Sequence, residues 1–257
     1  KTFIAVYAII VRALKHPETN HLIVRKHFAH IKATVWIQTI PAVLKIAFPG
    51  VTVQYNSTDL IVTFPNGSKI VLGGTDDKER IEKILGAEYA TIYLNEASQL
   101  SYDIFELFKT RLNPPKGVKP LYLIDFNPPT MRHWGYQLFH LCVDPSTGAP
   151  KKDKEKYAYL RMNPSDNTEN LSEGYIEMLE GLSEAQRRRF LLGEFGDDAE
   201  GALWKRDWIA KTRIDIKPQS LSKVIVAVYP AVTGGEKSDD TGIITVGMNV
   251  VEGQAHY

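Results

Sequence analysis

The sequence predicts an α/β fold with a mainly parallel sheet flanked by helices, and two patterns support this prediction. Short apolar runs, many of them β-branched, alternate with helix-compatible stretches over residues 1–200, which is typical of strands that helices cover on both faces. Several of these runs end in a polar residue, among them Glu96 and Asn127. Because the carboxyl ends of parallel strands meet at one crevice, we expect such side chains to lie close together.

Helices and strands alternate along the first half of the chain. An apolar helix (3–14) and a short buried strand (21–25) precede a long helical stretch (29–48), which Pro41 is expected to break or kink. The predicted elements that follow are, in order, strands 51–55, 60–64 and 69–72, a charged helix 76–85, a buried strand 90–94, an amphipathic helix 101–112 with Ser101 as its N-cap, and a buried strand 121–126.

The composition changes twice in the second half. Residues 172–195 predict a helical pair rich in Glu and Arg, and residues 201–221 predict a linker that wraps between domains. From residue 222 an apolar run, a Gly- and Asp-rich turn and a second apolar run predict a β-hairpin. The predicted organisation is therefore a first domain (1–200) lacking its N-terminal part, the linker, and the incomplete start of a second domain (222–257).

The composition excludes some classes of protein and leaves others open. The 257 residues are 44% hydrophobic and 24% charged, which is ordinary for a soluble globular protein. A net charge of +1 does not decide whether the chain binds DNA, since a local basic surface is sufficient for that. The single cysteine, Cys142, excludes a disulfide scaffold and fits a reducing cytoplasm. The apolar runs are far shorter than the roughly 20 residues of a membrane span.

The first chemical motif is Leu94-Asn95-Glu96-Ala97, at the end of an apolar strand. In P-loop ATPases of the additional-strand type, a strand ends in two polar residues. The first helps to hold Mg²⁺ through water, and the second, a Glu, orients and deprotonates the water that attacks the γ-phosphate. Asn95 and Glu96 are the candidates, although strands of many α/β proteins end in a carboxylate without this function.

Two further motifs are weaker when each is taken alone. Lys1-Thr2 precedes an apolar helix, as in a P-loop, where Lys contacts the β- and γ-phosphates and Thr contacts Mg²⁺; Lys-Thr is also a common dipeptide. Asn127 follows a buried strand and precedes two prolines. It is a candidate for contact with the γ-phosphate or the attacking water, although an ordinary Asn-Pro turn is favoured when this motif is taken alone.

Several motifs follow one another in a fixed order along nearly the whole chain. They are Arg25-Lys26, residues 72–77, Tyr93 to Ala97, Arg111-Leu112, Asp125-Phe126-Asn127-Pro128 with His133-Trp134, residues 175–182, 186–190 and 193–195, and Gly201-Ala202-Leu203-Trp204. This succession resembles phage terminase large subunits, particularly the branch found in prophage-like elements. The last segment, with Tyr229-Pro230-Ala231 and residues 238–243, resembles the start of their RNase H-like nuclease domain.

The resemblance implies an ATP-driven motor that packages double-stranded DNA into a procapsid, joined to a nuclease that cuts concatemeric DNA. It implies ATP and Mg²⁺ as cofactors, with Mg²⁺ or Mn²⁺ for the nuclease. The implied partners are DNA, a small terminase subunit, a portal protein and further copies of the chain in a ring, in the cytoplasm of a bacterial host and without a membrane.

The resemblance also implies roles for individual residues. Lys1 and Thr2 correspond to the end of the Walker A loop, Glu96 to the catalytic carboxylate, and Asn127 to the motif that couples hydrolysis to movement. For the arginine that stabilises the γ-phosphate, in cis or from a neighbouring subunit, two residues are candidates. They are Arg25 and Arg111, and we favour Arg111.

Two residues depart from the pattern of the family. Asn95 stands where many relatives have Asp; its amide is still expected to bind Mg²⁺-bound water, with lower metal affinity. Tyr229 stands where an Asp-Pro-Ala motif has its first nuclease carboxylate, while Asp240, or less favourably Asp239, resembles an auxiliary metal position. Because two-metal cleavage needs carboxylates, we expect this chain not to cut DNA.

Two other hypotheses remain open at this stage. A decayed or truncated prophage remnant, inert apart from DNA or subunit binding, is favoured by Tyr229 and by the absence of P-loop glycines before Lys1. A helicase with a similar core is weaker, since no pair of helicase motifs is visible. Glu96 and Asn127 favour the motor over the remnant.

Overall fold

The computed structural model describes residues 1–196, 208, 211, 221–229, 242–251 and 254–256. The chain divides into two compact units, Lys1–Ala202 and Leu203–Tyr257. Of the helices in these described stretches, none has the length and apolarity needed to cross a bilayer. The candidate ATPase residues all belong to the first unit.

The first unit alternates helices and strands. Its elements are α1 (Thr2–Lys15), β1 (Asn20–Arg25), α2 (Phe28–Ile31), a π-helical segment (Lys32–Thr39), α3 (Ile40–Ala47), β2 (Gln54–Asn56), β3 (Ile61–Thr63), β4 (Lys69–Gly74), α4 (Lys78–Leu85), β5 (Thr91–Leu94), α5 (Tyr102–Lys109), β6 (Leu121–Ile124), α6 (Trp134–Phe139), α7 (Tyr175–Glu180) and α8 (Glu184–Phe190). The predicted helical pair near the end of this unit corresponds to α7 and α8.

The strands form one six-stranded sheet in the order β2-β3-β4-β1-β5-β6. The four strands β4, β1, β5 and β6 are mutually parallel, and β2 and β3 add an antiparallel edge. The predicted fold class, a mainly parallel sheet flanked by helices, is therefore confirmed.

Helices cover both faces of the sheet because successive strand residues point to opposite sides. In β1, Ile23 packs into a core with α1, the π-helical segment and α3. Its neighbours Leu22 and Val24 pack into a second core with residues of α4, α5 and α6. All three side chains are fully buried, so β1 is a central strand of a three-layer sandwich, which explains its continuous apolar run.

The helical stretch before the second strand contains a local change of winding. Pro41 occupies the first turn of α3, directly after the π-helical segment. Proline has no N–H and its ring excludes the carbonyl four residues earlier, so the α-helical bonding pattern cannot run through this point. The predicted break at Pro41 thus takes the form of a π-helical segment upstream of it.

The second unit contains β7 (Lys223–Tyr229), β8 (Gly242–Val251) and β9 (Gln254–His256). β7 and β8 pair antiparallel, with Tyr229 opposite Gly242, and β9 pairs antiparallel with β8. The predicted hairpin is therefore present. Its assignment to an RNase H-like domain and the proposed domain boundaries stay predictions, and most of the predicted linker (201–221) lies outside the described residues.

Candidate functional site

Polar side chains from three parallel strands meet at the carboxyl edge of the sheet. β1 pairs with β5 and β5 pairs with β6, so that Val24, Leu94 and Ile124 stand side by side in register. The residues that follow these positions are Arg25 after β1's last buried residue, Asn95 and Glu96 after β5, and Asp125 to Asn127 after β6. The convergence expected from the sequence is thus present at this edge.

Asp125 is the centre of a partly buried hydrogen-bond network at this edge. Its Oδ1 accepts from the Tyr93 hydroxyl (2.9 Å), from Asn95 Nδ2 (2.9 Å) and from the backbone N–H of Glu96 (3.1 Å). Asn95 is 2% exposed and Tyr93 fully buried. Burial, followed by the Asp125 charge, raises the pKa of Tyr93, so its phenol remains a donor. This network fixes the chain direction where β5 ends.

Lys1 and Thr2 join the same edge from the start of α1. Lys1 Nζ donates to Asn127 Oδ1 (2.6 Å) and to the Phe126 carbonyl (3.1 Å). Burial lowers the pKa of the Lys1 ammonium, while the charges of Asp125 and Glu96 act in the opposite direction. Thr2 Oγ1 lies 3.3 Å from Asn95 Nδ2. The positive end of the 14-residue helix α1 adds unpaired N–H groups that favour an anion.

Glu96 leaves the strand in a strained conformation and is paired with Arg25. Its backbone is left-handed (φ 53°, ψ 49°). Its Oε2 accepts a hydrogen bond from Arg25 Nη2, and Arg25 Nη1 donates to Thr34 Oγ1 (3.3 Å). The Arg25 side chain is 12% exposed and that of Glu96 is 43% exposed. The carboxylate therefore reaches solvent while a mostly buried guanidinium holds it.

Arg111, the favoured arginine candidate, lies at the other end of the sheet. Its carbonyl accepts from the N–H of Tyr89, which precedes β5, and its Nη1 donates to the Leu85 carbonyl (3.4 Å). α5 leaves the carboxyl edge and returns the chain to the amino edge, so the residue after it cannot meet Glu96 of the same chain. The structure brings Arg25 to Glu96 and does not bring Arg111 there.

The nuclease candidates belong to the second unit. Tyr229 is the last residue of β7 and is 75% exposed. Asp239 and Asp240 lie outside the described residues. Their metal-binding role stays a prediction.

The structure adds residues that the sequence did not single out. Asp125 and Tyr93 belong to quoted motifs but had no assigned role; the available signal was a carboxylate at the end of the strand next to Glu96. Beyond Lys1 and Asn127, a small cavity of about 60 Å³ is also lined by Arg161 and Arg189. Arg161 lies in a loop outside the quoted motifs, and Arg189 lies in the motif at 186–190 but had no assigned role at this site, so only the folded chain shows their proximity to Lys1.

The chemistry of these groups fits a nucleotide with Mg²⁺. Lys1 and the amino end of α1 are suited to phosphates, and the Thr2 hydroxyl and the Asp125 carboxylate are oxygen groups of the kind Mg²⁺ uses. Within the described residues no three His, Cys, Asp or Glu side chains form a metal cage. Nucleotide-bound Mg²⁺ does not need one, because it takes phosphate oxygens, water and one or two protein oxygens.

Comparison with known proteins relates the chain to one family. The family model for the N-terminal part of the terminase large subunit, T4likevirus type, matches residues 1–211. The large terminase of a thermophilic bacteriophage has a similar fold (TM-score 0.63, 20% identity), with 76% of this chain and 46% of that chain covered. The ATPase domain of the Thermus phage P74-26 large terminase is similar as well (TM-score 0.51, 15% identity), with 76% and 83% covered.

Two further facts bound these comparisons. The chain spans less than half the length of the first of these proteins, the thermophilic phage terminase, which has also been solved with ADP and with ATP-γ-S. No curated protein sequence matches the chain. The structural similarities therefore describe the fold.

Proposed function

We propose that this chain, which belongs to the terminase large subunit family, hydrolyses ATP at the carboxyl edge of its sheet to drive double-stranded DNA into a procapsid. One observation carries the proposal. Lys1, Thr2, Asn95, Glu96, Asp125 and Asn127 come from three separate segments and are joined by hydrogen bonds at one edge. A carboxylate, an ammonium and a helix amino end at one crevice are the groups that phosphoryl transfer requires.

Each residue has a definite task in this proposal. Lys1 and the N–H groups that open α1 hold the β- and γ-phosphates, and Thr2 faces the nucleotide's Mg²⁺. When bound, Mg²⁺ neutralises charge on the phosphates. Glu96 orients the attacking water and takes its proton. Asn127 is bonded to Lys1, so occupation of the phosphate site changes its contacts and is coupled to the loop that follows β6.

The Arg25–Glu96 pair is the resting arrangement of the catalytic carboxylate. With Oε2 bonded to Arg25, one of the two carboxylate oxygens of Glu96 is held by a cation. Hydrolysis requires that this pair loosen, and we propose that nucleotide and DNA binding loosen it. Arg111 lies at the edge of the sheet opposite to Glu96 and cannot reach the site of its own chain. Its proposed role is at the site of a neighbouring subunit in the ring.

The remaining tasks of the family member are also proposals. We propose a small terminase subunit, a portal protein and a homo-oligomeric ring as partners, in the cytoplasm of a bacterial host. The second unit would begin a nuclease that uses Mg²⁺ or Mn²⁺, with reduced or no cutting because Tyr229 replaces a carboxylate. An inert prophage remnant is not favoured, because an inert protein would not be expected to keep Glu96 within a hydrogen-bonded site at the sheet edge.

The test is ATP hydrolysis by the full-length protein with Mg²⁺ and DNA. Glu96→Gln should lower the turnover rate by about 10²-fold or more, because it removes the general base. Glu88→Gln is the matched control: this exposed Glu precedes β5 at the opposite end of the strand, and its loss should leave the rate unchanged.

Either of two results would contradict the proposal. One is full-length protein that does not hydrolyse ATP under any of these conditions. The other is a Glu96→Gln variant that is as active as the Glu88→Gln control.

A further inference from the structure

The amide of Asn95 is oriented by its neighbours. Its Nδ2 lies 2.9 Å from Asp125 Oδ1, 3.0 Å from the Tyr93 hydroxyl oxygen and 3.3 Å from Thr2 Oγ1. An ionised carboxylate only accepts hydrogen bonds, so the amide must turn its nitrogen, and not its oxygen, toward Asp125. The Asn95 side chain therefore presents a donor to Thr2.

A donor is the wrong group for water that is bound to Mg²⁺. Mg²⁺ at a nucleotide keeps several water molecules, and a metal-bound water points its hydrogens away from the metal. Such water needs an acceptor in the protein. In this orientation the Asn95 nitrogen cannot accept from the Mg²⁺-bound water that the sequence predicts for this amide.

Asp125 has an acceptor oxygen to offer at this edge, whereas Asn95 turns its donor nitrogen toward Thr2. Three donors bond to its Oδ1, whereas within the described part of the chain no hydrogen bond is made to its Oδ2. Glu96, the other carboxylate of this edge, is bonded to Arg25. Through Asn95, Asp125 is one hydrogen-bonded residue away from the Thr2 hydroxyl.

We propose that the carboxylate of Asp125, and not the amide of Asn95, accepts hydrogen bonds from the water bound to the nucleotide's Mg²⁺. The negative charge that serves the metal thus comes from the end of β6 instead of the end of β5. Asn95 becomes a positioning residue, because its amide holds Asp125 Oδ1 and leaves Oδ2 directed elsewhere. This inference rests on the proposed nucleotide site.

The orientation also predicts what charge exchange would do. Asn95→Asp alone places two carboxylates about as close as a hydrogen bond, which disfavours the ionised form of one of them. Asp125→Asn alone keeps an oxygen that accepts from Glu96 N–H and Tyr93, but removes the charge. The reciprocal double variant, Asn95→Asp with Asp125→Asn, restores one carboxylate and one amide in exchanged positions.

The experiment measures Mn²⁺ binding, by electron paramagnetic resonance, to the full-length protein saturated with ADP. Asp125→Asn should weaken Mn²⁺ binding by about tenfold or more, the usual effect of losing an outer partner of a metal site. The reciprocal double variant should recover most of this loss. Asp103→Asn, in the exposed first turn of α5, is the matched control. ADP binding in EDTA and thermal unfolding should be unchanged in Asp125→Asn, which separates a metal effect from a folding defect.

The outcomes separate this inference from the proposed function. If Asp125→Asn binds Mn²⁺ as tightly as the control, Asp125 does not serve the metal. If the reciprocal variant binds as weakly as Asp125→Asn alone, the loss is not one of negative charge at this edge. Either result makes the inference wrong while the nucleotide site stands. If the unaltered protein binds no ADP, the proposed function fails and this inference fails with it.

Discussion

The backbone conformation of Glu96 is explained by its position in the site. A left-handed backbone costs a residue with a side chain roughly 1–2 kcal/mol, and Glu96 adopts it directly after β5. The conformation is held by the bond from its N–H to Asp125 and by the Arg25 pair. Strain that the surroundings enforce is typical of functional positions, and here it turns the carboxylate out of the strand toward the crevice.

Arg25 provides a prediction that distinguishes two roles. Because Arg25 holds Glu96, we expect Arg25→Gln to raise ATP hydrolysis in the absence of DNA several-fold and to reduce its stimulation by DNA. Arg80→Gln, which removes an exposed arginine over the Phe28 ring, is the matched control. The measurement is steady-state hydrolysis with and without DNA. A rate as low as that of Glu96→Gln would instead give Arg25 the task of stabilising the γ-phosphate.

His21 provides a prediction about pH and stability. It is fully buried in β1, and its Nε2 lies 2.9 Å from Thr19 Oγ1. Burial, with the charges of Arg12 and His16, lowers its pKa to about 4 from an ordinary value of 6.5. Because the unfolded chain binds the proton more readily, the His21 contribution to stability is complete above about pH 6.5 and is lost as the pH falls toward 4.

The expected loss in unfolding free energy from this residue is about 2 kcal/mol between pH 7 and pH 5. Urea unfolding at the two pH values should show a smaller pH dependence for His21→Gln than for the unaltered protein. The exposed residue His30 is the control, and His30→Gln should keep the full dependence. Equal pH dependence in all three proteins would show that His21 is not protonated on unfolding in this range.

At the scale of elements, the sequence predicts fully buried strands better than it predicts exposed strands or irregular helical segments. Fully buried runs such as β5, with four consecutive buried residues, are recognised because an apolar run of this length is too short for a helix. The weak strand β2 is shorter than predicted, because its three residues are all exposed and hydrophobic pattern has little to act on. Pro41 predicts a break in the α-helical pattern, but the local pattern does not show that the break takes the form of a π-helical segment whose Val35 and Trp36 pack in the core.

The position of Arg111 illustrates a limit of a different kind. Its place at the amino edge follows from connectivity, since a helix after a parallel strand returns the chain to the start of the next strand. The order of the motifs alone favours Arg111 as the arginine of the site. That order does not show at which edge of the sheet a residue lies, so it cannot exclude Arg111. Arg25 and Asp125 are the residues that do contact Glu96. Arg25 ends β1 and Asp125 follows β6, and both strands are direct neighbours of β5.

At the scale of the whole molecule, the site is built by register across three strands and closed by the start of α1. Every contact that carries the proposal joins residues far apart in sequence, such as Lys1 with Asn127 and Arg25 with Glu96. Sequence reasoning could predict that these strands end at one edge. It could not predict which donor meets which acceptor, because that depends on side-chain direction within the folded sheet.

This construction predicts where bound nucleotide protects the molecule. Mg²⁺ and ADP at about 100 times the dissociation constant should stabilise the folded site by about 2.7 kcal/mol. Hydrogen exchange should therefore slow at the first turn of α1 and at the backbone after β5 and β6, where Glu96 and Ala97 donate to Asp125. The amides of the β7–β8 hairpin belong to the other unit and serve as the internal reference. Two results would show that the nucleotide does not bind at this edge. One is protection that is spread evenly over both units. The other is equal protection in Glu96→Gln and in Lys1→Ala, a variant that cannot hold phosphate.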